Sequence, residues 1–544
     1  MIYCQTMKET LIILGAGVMQ GPALKIAKEL GFYAIALDGS KDAPCISMAD
    51  RFEQIDLKDK EGIETFVRSL KNSCSNLGIM TAGTDFSASV AWTAEKLNLP
   101  GIPYEAALDA SDKSRMRERF KKAGVPSPDF ITITQDDMQK LLSSQSALHS
   151  LRFPLVLKPV DNMGSRGCRR VDTPEEFNDA ARAAIGLSRS GRAIAESYMD
   201  GPEFSVDAVY YKGEITICGL ADRHIFFPPY FIEMGHTIPA VIEEEKQQAL
   251  LETFRAGVRA LGLAGKDHIG AAKGDIKLTA SGPMIGEIAA RLSGGYMSGW
   301  TYPYSSGASP IKAAVLMAMG KEPQGLSQEK RWTSAERAFI SIPGIVKQII
   351  KIDEKQTGEN DHVNDFFMRI KEGDKVSFPE NNVTKCGNII ASAPDRQSAV
   401  KAAENAARSV LIRLDGSDRE TREFLYNEKG AVNRETGFIF PPDAFQLTEE
   451  LRQALFQLPD TVCAAPVLCS IIHFPAFESS GLKDYMGRTV KETLEAVRLL
   501  TGFPLKEAQK NAENNNILGR SFWAALIRGS YQGAVYYIDN LGVR

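Results

Sequence analysis

The sequence predicts an α/β protein of several domains. Its 544 residues exceed what one hydrophobic core usually organises, so three or four domains are expected. Short buried-strand runs alternate with helical segments over the first hundred residues, which is typical of a doubly wound α/β unit. Hairpins and isolated strands follow, and the end of the chain is helical in pattern. We therefore expect a doubly wound N-terminal domain, an α+β core, a small β-rich domain and a mostly helical C-terminal extension.

The composition limits the class of protein and its partners. With 44% hydrophobic and 24% charged residues, it is typical of a soluble globular protein. The net charge of −4 argues against a nucleic-acid partner. No apolar run approaches the roughly 20 residues that span a bilayer, and the N-terminus lacks a signal-peptide pattern. The eight cysteines and six histidines show no zinc-type spacing, so we expect reduced thiols, a cytoplasmic location and no membrane partner.

The first predicted βαβ unit runs from Leu11 to Asp38. A turn at Gly15-Ala16-Gly17 lies between a strand and a helix, so an anion could approach the helix N-terminus there. The pattern departs from the dinucleotide fingerprint, because Gln20 stands where the third glycine would fall. Asp38 lies at the end of the second strand, as an acid does in dinucleotide-binding proteins. A NAD-linked oxidoreductase is therefore an alternative from another class of enzyme.

The first two domains are predicted at residues 1–110 and 111–325. The second begins at Asp112-Lys113-Ser114 with a helix that Gly124 ends. Within it, the segment FPLVLKPV predicts a strong strand that contains Lys158. A lysine inside a buried strand is costly unless it meets an anion.

A glycine-rich loop, DNMGSRG at 161–167, follows this strand. Its backbone amides and polar side chains could wrap phosphate oxygens. The loop lacks the G-K-[ST] ending of a Walker loop, so we expect a phosphate lid of another type. The residues assigned to this lid are Gly164, Ser165, Arg166 and Gly167.

Strands and a helix are predicted between this lid and residue 211. Thr173-Pro174-Glu175-Glu176 is a capping-box pattern that predicts a helix to about Leu187. A strand at 193–198 carries Glu196, and a turn containing Glu203 leads into the strand 204–211.

The segment from Gly270 to Gly295 predicts a β-hairpin with two acids. Asp275 lies early in the first strand and Glu287 lies late in the second, so antiparallel pairing would bring both carboxylates to one face. Two converging carboxylates form a hard-oxygen site of the kind that binds Mg²⁺. Arg291 follows at a position suited to pair with a carboxylate or phosphoryl oxygen. Taken alone, the same pattern also fits solvated charges at a sheet edge.

The sequence motifs described above follow one another along the chain in an order that is typical of a known family. Lys113, FPLVLKP, the Gly-Ser loop, AESYMDGPEFSV and the Asp275/Glu287/Arg291 stretch resemble the ATP-grasp superfamily over about residues 8–415. FIEMGHTIPA and the E-x-A-x-R form ending at Arg291 are most similar to carboxylate–amine ligases of the L-amino acid ligase type. The resemblance implies an ADP-forming ligase that joins a small carboxylate to an amine through an acyl-phosphate. It also implies an ATP-grasp fold for the core, small-molecule substrates, ATP and Mg²⁺, with Mn²⁺ as a possible substitute.

The resemblance implies roles for residues on the nucleotide side. Lys113 and Lys158 match the two lysines that contact ATP phosphates. Glu196 matches the acid that meets the adenine amino group. Glu203 matches the acid that accepts the ribose hydroxyls.

It likewise implies roles around the metal and the substrate. Asp275 and Glu287 match the Mg²⁺ ligands, and Arg291 matches the group that stabilises the acyl-phosphate and the transition state. Glu233 and His236 match the substrate-loop pair that would hold a substrate amino group and a phosphate oxygen.

One departure from the family pattern concerns Ala289. Many ATP-grasp enzymes have Asn at this place, so one Mg²⁺ ligand is missing here or replaced by water. Within the superfamily, and independently of this departure, a purine-pathway or carboxylase-like ATP-grasp enzyme is the near alternative. A non-catalytic nucleotide-binding regulator is a further one.

The last third of the chain divides into two predicted regions. A polar connector at 320–335 leads into strand-rich sequence, and we expect a β-rich closing domain at 326–415. Thr489-Val490-Lys491-Glu492 predicts a capped helix that Gly502 ends. Residues 416–544 are expected to form an appended, mostly helical domain, which could cap the active site, mediate a homodimer or bind a second ligand.

Overall fold

The computed structural model describes residues 8–138, 151–351, 362–427, 439–463, 470–503, 506–507 and 517–541. The chain forms two compact units. One comprises Met1–Glu336 with Ser392–Val400, and the other comprises Arg337–Ala391 with Lys401–Arg544. The mixture of parallel and antiparallel sheets with helices confirms the expected α/β multidomain class. The four domain boundaries proposed from the sequence stay predictions.

Nine α-helices of the first unit lie wholly within the described residues. They are α1 (Gly21–Glu29), α2 (Lys60–Leu70), α3 (Ser87–Leu97), α4 (Tyr104–Ser111), α5 (Lys113–Ala123), α6 (Pro174–Leu187), α7 (Glu244–Ala260), α8 (Tyr302–Ser306) and α9 (Pro310–Ala318). Its strands are β1 (Lys8–Leu14), β2 (Tyr33–Asp38), β3 (Arg51–Gln54), β4 (Cys74–Thr81), β5 (Phe130–Thr134), β6 (Leu155–Pro159), β7 (Arg169–Val171), β8 (Arg192–Ser197), β9 (Glu203–Tyr211), β10 (Glu214–Phe226), β11 (Ile232–Ile238), β12 (Ile269–Thr279) and β13 (Gly282–Ala289).

The N-terminal sheet has the order β3-β2-β1-β4 and is parallel throughout. Successive β1 side chains enter different clusters. Leu11 and Ile13 pack with α1 and α9, whereas Ile12 and Leu14 pack with α2 and α3. A strand in a parallel sheet that is covered on both faces usually has a continuous apolar sequence, which explains the sequence of β1. The doubly wound N-terminal domain is confirmed.

Two antiparallel sheets form the rest of this unit. One has the order β5-β8-β6-β7, and the apolar face of α6 packs against it. Helix α6 begins and ends where the sequence predicts, at Pro174 and Leu187. The predicted capping box is wrong, because Thr173 makes no side-chain cap hydrogen bond. Glu176 instead accepts a hydrogen bond from the Asp172 amide at 3.0 Å.

The second antiparallel sheet contains the strand order β13-β12-β9-β10-β11. Its edge hairpin, β12–β13, forms as predicted and pairs Asp275 directly with Glu287. Residues directly opposite on antiparallel strands place their side chains on the same face. Gly282 has φ +106°, a left-handed conformation that favours glycine and closes the turn.

The second unit contains the remaining described elements. Its strands are β14 (Thr333–Phe339), β15 (Gly344–Lys351), β16 (Val363–Met368), β17 (Lys375–Val376), β18 (Gly387–Ala393), β19 (Val410–Leu414), β20 (Ser470–Ile471), β21 (Lys506–Glu507) and β22 (Ile517–Leu518). Its helices are α10 (Arg396–Arg408), α11 (Arg419–Tyr426), α12 (Glu449–Gln457), α13 (Pro475–Glu478), α14 (Val490–Thr501) and α15 (Arg520–Asp539). The elements β14, β18 and α10 contribute residues to both units.

Helices α14 and α15 organise the C-terminal core. The predicted capping box is formed: the Thr489 and Glu492 side chains accept hydrogen bonds from each other's amides. Helix α15 supplies Trp523, which is fully buried and donates to the Ile472 carbonyl at 2.8 Å. The helical C-terminal extension is confirmed, with a small parallel sheet of β20, β21 and β22 added to it.

The cysteines differ from the expectation at one position. Five described cysteines are free thiols (Cys45, Cys74, Cys168, Cys218 and Cys386). Cys463 is disulfide-bonded, so the expectation of reduced thiols is wrong there. In the described part of the chain, we find no helix with the length and apolarity that crossing a membrane requires.

Candidate active site

The acidic pair on the β12–β13 hairpin is surrounded by cations. The Lys113 Nζ atom lies 3.7 Å from Glu287 Oε1. Asp275 accepts a hydrogen bond from Ser205 Oγ at 3.1 Å and forms an ion pair with Arg223 Nη1 at 2.9 Å. Lys273 also contacts Asp275. Burial raises the pKa of Asp275, but Arg223 and Lys273 outweigh it and leave that pKa below its usual value. The carboxylate is therefore ionised at neutral pH.

Two lysines from separate elements face this pair and the glycine-rich loop. Lys113 is the first residue of α5, is buried, and donates to the Asn162 carbonyl at 2.8 Å. Lys158 on β6 lies 2.6 Å from Glu196 Oε2. The Cys168 thiol lies close enough to both lysines for their positive charges to act on its pKa and lower it. Burial nevertheless raises the pKa of Cys168 to about 11, so its thiol stays protonated near neutral pH.

Glu196 links the lysine-bearing sheet to the acidic hairpin. Its side chain is 2% exposed and forms a second ion pair, with Arg117 Nε at 2.8 Å. Arg117 also donates to the Gly286 carbonyl at 2.6 Å, beside Glu287. Burial raises the pKa of Glu196, but Arg117 and Lys158 outweigh burial and lower it. Because both carboxylate oxygens meet cations, Glu196 acts here as a structural clamp. The adenine contact stays a prediction.

Arg223 on β10 is the hub of a second charge cluster. It contacts Glu203, Glu233 and Asp275, and its side chain is 9% exposed. Lys277 lies 3.8 Å from the other oxygen of Glu203. Arg223 therefore connects three acids with different expected roles. Glu203 is expected at the ribose, Glu233 at the substrate and Asp275 at the metal ion. The ribose role of Glu203 stays a prediction.

The glycine-rich loop adopts the backbone that its sequence requires. Gly164, Ser165 and Gly167 have φ values of +64°, +60° and +74°. Turn conformations of this kind can direct successive backbone amides toward a common point, which is how backbone loops bind anions. Arg166 Nε donates to the Met163 carbonyl at 3.1 Å, which steadies the turn. The phosphate-lid role of Gly164, Ser165, Arg166 and Gly167 stays a prediction.

Arg291 lies in a segment fastened to two other elements. Its Nε and Nη2 atoms lie 2.8 and 2.7 Å from Asp85 Oδ1, just before α3. Two residues later, the Ser293 amide donates to Asp207 on β9 at 3.0 Å. Burial raises the pKa of Asp207 to about 6, despite the hydrogen bonds from Ser293. Arg291 is thus held by a carboxylate, so its guanidinium is oriented before any substrate arrives.

The substrate-loop pair predicted on β11 has an additional acidic partner. His236 is fully buried, and its Nδ1 atom lies 3.2 Å from Glu336 Oε2 and 3.8 Å from Glu233 Oε1. Its other nitrogen lies 3.0 Å from Thr301 Oγ1. Burial lowers the pKa of His236, but Glu233 and Glu336 outweigh burial and raise it. The two acids therefore favour the imidazolium form.

The residues present fit a magnesium nucleotide. Asp275 and Glu287 are hard-oxygen donors at one position of a strand pair, and Mg²⁺ prefers such oxygens. Lys113 and Lys158 provide cations for phosphate oxygens. Ala289 pairs with Lys273 across the hairpin, so the place of the family asparagine holds no donor of its own.

Several residues of this site were not found in the sequence. They are Asp85, Arg117, Asp207, Arg223, Lys273 and Glu336. Three of them carried a usable signal, a charged residue inside an otherwise apolar strand: Asp207 in FSVDAVYY, Arg223 in CGLADRHIF and Glu336 in SAERAFI. Such a residue is costly unless it is paired, so it indicates a buried polar partner.

The glycine turn of the N-terminal domain is filled by its own side chains. A Cβ atom on Gly15 would lie 2.8 Å from the Gln20 side chain, which donates to the Ala82 carbonyl. Asp38 accepts a hydrogen bond from the Ala16 amide at 2.8 Å. The space for a pyrophosphate and the acid for a ribose are therefore both taken, which disfavours the NAD alternative.

Comparisons with known families agree with the resemblance seen in the sequence. The ATP-grasp domain family matches residues 151–298. The family described as L-amino acid ligase C-terminal domain 2 matches residues 338–415. The ATP-grasp match contains the acidic pair, the Lys158 strand and the glycine-rich loop, and the second match contains the strand-rich region after the connector.

Individual relatives are distant ligases. Carnosine synthase 1 of Gallus gallus is 24% identical over 335 residues, which are 58% of this chain and 36% of that protein. Alanine–anticapsin ligase of Bacillus subtilis (strain 168) is 29% identical over 206 residues, 34% of this chain and 42% of that protein. The alignments thus span less than half of these two relatives.

A solved structure shares the fold over most of the chain. The crystal structure of L-amino acid ligase from Bacillus licheniformis superposes with a TM-score of 0.63 and 21% identity. The match covers 75% of this chain and 99% of that one. At this identity the likeness concerns the fold, and it confirms the expected arrangement of an ATP-grasp core.

Proposed function

We propose that this chain, which belongs to the ATP-grasp ligases of the L-amino acid ligase type, joins a small carboxylate to an amine at the expense of ATP. The carboxylate is an amino acid or a related acid, and the products include ADP and phosphate. The cross-strand pair Asp275 and Glu287, with Lys113 at 3.7 Å from Glu287, carries this proposal. Ionised oxygen donors beside cations are what transfer of a phosphoryl group between two anions requires.

The first half-reaction transfers the γ-phosphoryl group to a substrate carboxylate oxygen. A new oxygen–phosphorus bond forms, the bond to the bridging oxygen breaks, and ADP leaves with its electrons. Lys113 and Lys158 would hold phosphate oxygens, and the amides of Gly164 and Gly167 would cover them. Magnesium, when held by Asp275 and Glu287, supplies charge neutralisation to this transfer.

The second half-reaction forms the C–N bond. The amine nitrogen attacks the carbonyl carbon of the acyl-phosphate, and phosphate leaves while the nitrogen loses a proton. Arg291, held by Asp85, would stabilise the charge that gathers on the acyl-phosphate oxygens. Glu233 and His236 would hold the substrate amino group and a phosphate oxygen. Because water also attacks an acyl-phosphate, the 161–167 loop is proposed to exclude it until the amine binds.

The test is phosphate release from Mg·ATP with amino acids and other small carboxylates, offered singly and in pairs. At least one pair should release phosphate and ADP together with a C–N product seen by mass spectrometry. We propose a cytoplasmic location for this reaction, where ATP and amino acids are available.

Glu287→Gln provides the site test, because this side chain is 32% exposed and its loss should leave the fold intact. We expect turnover to fall by a factor on the order of 10³, as for removal of a group that stabilises transition-state charge. Glu214→Gln, an exposed glutamate at the start of β10, is the matched control and should keep full activity. ATP binding without phosphate release for any pair would instead identify a silent nucleotide-binding regulator.

A further inference from the structure

A cavity of about 70 Å³ lies inside the first unit next to Arg291. Its walls come from the end of β4, from α3, from the start of β12 and from α9. Apolar side chains dominate these walls, including Ile79, Val90, Ile102 and Met317. Among the described residues that line it, Arg291 alone is charged. The space therefore suits an uncharged group, because a charge there would lack a free counter-charge.

The Tyr210 hydroxyl is a polar group at the wall of this cavity. The residue is 1% exposed, and its hydroxyl is buried with no hydrogen-bond partner. Gly270 pairs with Tyr210 across β9 and β12 and also lines the cavity. A Cβ atom on Gly270 would lie 2.6 Å from the Tyr210 hydroxyl oxygen, so this oxygen stands at the cavity wall. Buried polar groups in native proteins normally have partners, so an orphan hydroxyl in a cavity indicates a missing ligand atom.

The size of the cavity limits what can enter. An apolar cavity of about 150 Å³ holds benzene, so about half that volume takes roughly three or four non-hydrogen atoms. A hydroxyl both donates and accepts, so the far end of the group can be either an oxygen or an amide nitrogen.

We infer that this cavity receives the side chain of the carboxylate substrate, and that the enzyme selects an uncharged chain of three or four heavy atoms with a hydrogen-bonding end. The inference rests on the proposed function, in which Arg291 holds the reacting acyl group. Because Arg291 also lines the cavity, the substituent of the same molecule is within reach of Tyr210. Threonine and asparagine have side chains of this class.

Two pairs of isosteric amino acids test the inference directly. Valine and threonine have the same shape, with one methyl group of valine replaced by a hydroxyl. Leucine and asparagine have a similar branched outline, with both terminal methyl groups of leucine replaced by the amide oxygen and nitrogen. The measured quantity is the ratio of kcat/KM within each pair, from phosphate release. We expect the polar member to be preferred by at least tenfold in the natural protein, because a site that hydrogen-bonds its substrate rejects the analogue lacking the group.

The variant Tyr210→Phe removes the hydroxyl and keeps the ring. We expect the preference for the polar member to fall by tenfold or more, while alanine, which cannot reach the hydroxyl, keeps its kcat/KM. Tyr33→Phe, a half-buried tyrosine on β2 in the same unit, is the matched control and should leave all ratios unchanged. A purely structural role of Tyr210 would lower activity equally for every substrate.

Ala91→Leu on α3 fills the cavity and provides a second readout. It should reduce kcat/KM for threonine and asparagine relative to alanine. If Tyr210→Phe releases phosphate with unchanged ratios, the cavity inference is wrong and the ligase proposal stands. If no carboxylate releases phosphate with the natural protein, both fall together. A crystal structure with the bound substrate elsewhere and only water beside Tyr210 would likewise overturn the cavity assignment.

Discussion

Several buried charges among the described residues form groups in which each member has a counter-charge. Glu196 lies between Arg117 and Lys158, and Arg223 lies between three acids. Removing one partner of such a group leaves an uncompensated charge, which is strongly destabilising. For this reason Lys158→Ala is expected to lower stability as well as activity. Glu287→Gln is expected to lower activity while leaving stability unchanged.

The Asp207 carboxyl group should make stability depend on pH. Its pKa in the folded chain is about 6, above the ordinary value of 3.8. The stability that its neutral form contributes is therefore present below about pH 4 and lost as pH rises through 6. A shift of this size corresponds to roughly 3 kcal/mol. Asp207→Asn stays neutral, so its free energy of unfolding relative to the natural protein should rise between pH 4 and pH 7.

Urea denaturation at several pH values, without nucleotide, measures this difference. Asp56→Asn, an exposed carboxylate in the N-terminal domain, is the control and should show little pH-dependent difference. A flat difference for Asp207→Asn across the same range would show that this carboxyl group titrates normally.

Glu336 is expected to position His236 and keep it protonated. The two acids raise the pKa of His236 above 6.5, so the charged form persists until pH exceeds that raised value. Glu336→Gln removes one of these acids and should move the alkaline limb of the kcat/KM profile to lower pH. A general loss of activity without displacement of the limb would indicate a structural role only. Glu243→Gln, exposed before α7, should leave the profile in place.

At the scale of elements, hairpin register and loop backbone position the groups of the candidate active site. The β12–β13 register places Asp275 opposite Glu287, and a slip by one residue would turn the two carboxylates to opposite faces. The loop after β6 depends on glycines with positive φ at Gly164 and Gly167. Both features are local, so both can be tested by single substitutions.

Gly167→Ala should weaken binding of Mg·ATP at the glycine-rich loop. Its φ of +74° is strained for alanine, and a Cβ atom would lie 2.9 Å from Leu187 Cδ1 and 3.0 Å from Pro159 Cγ. The loop must therefore shift, and we expect the Kd for Mg·ATP to rise at least about tenfold, equivalent to about 1.4 kcal/mol. Isothermal titration calorimetry measures this.

Gly191→Ala is a matched control for backbone strain. Gly191 precedes β8 with φ +67°, but nothing lies within 4 Å of its added Cβ atom. The substitution costs about 1–2 kcal/mol of left-handed strain. It should lower the melting temperature and leave the Kd for Mg·ATP unchanged. Equal affinity losses in both variants would remove the loop from the nucleotide site.

At the scale of the whole molecule, the nucleotide that stabilises the folded chain identifies the class of enzyme. The acidic hairpin and the two lysines fit Mg·ATP, whereas Gln20 and Asp38 occupy the turn that a dinucleotide would need. At 100 times its Kd, a ligand stabilises the folded state by about 2.7 kcal/mol. We expect Mg·ATP to raise the melting temperature and NAD to leave it unchanged. If NAD raised the melting temperature and Mg·ATP did not, the result would favour the oxidoreductase alternative.

Much of the fold and part of the site followed from local sequence patterns. The apolar run of β1, the limits of α6 and the capped helix α14 depend on neighbouring residues, and the structure has them where the sequence indicates. The carboxylate pair was also predictable, because a short turn sets the register of a hairpin and hence which side chains share a face.

Only the tertiary structure decided how the charges are paired. Arg291 meets Asp85 across 206 positions, and Arg117 meets Gly286 across 169. Packing of segments far apart in the chain also brings Glu336 to His236 and leaves the Tyr210 hydroxyl without a hydrogen-bond partner beside a cavity. Spacing along the chain determines periodicity and register, whereas burial and long-range ion pairing depend on which distant surfaces meet. Those contacts exist only once the domains have folded, which is why one sequence predicted the acids and not their partners.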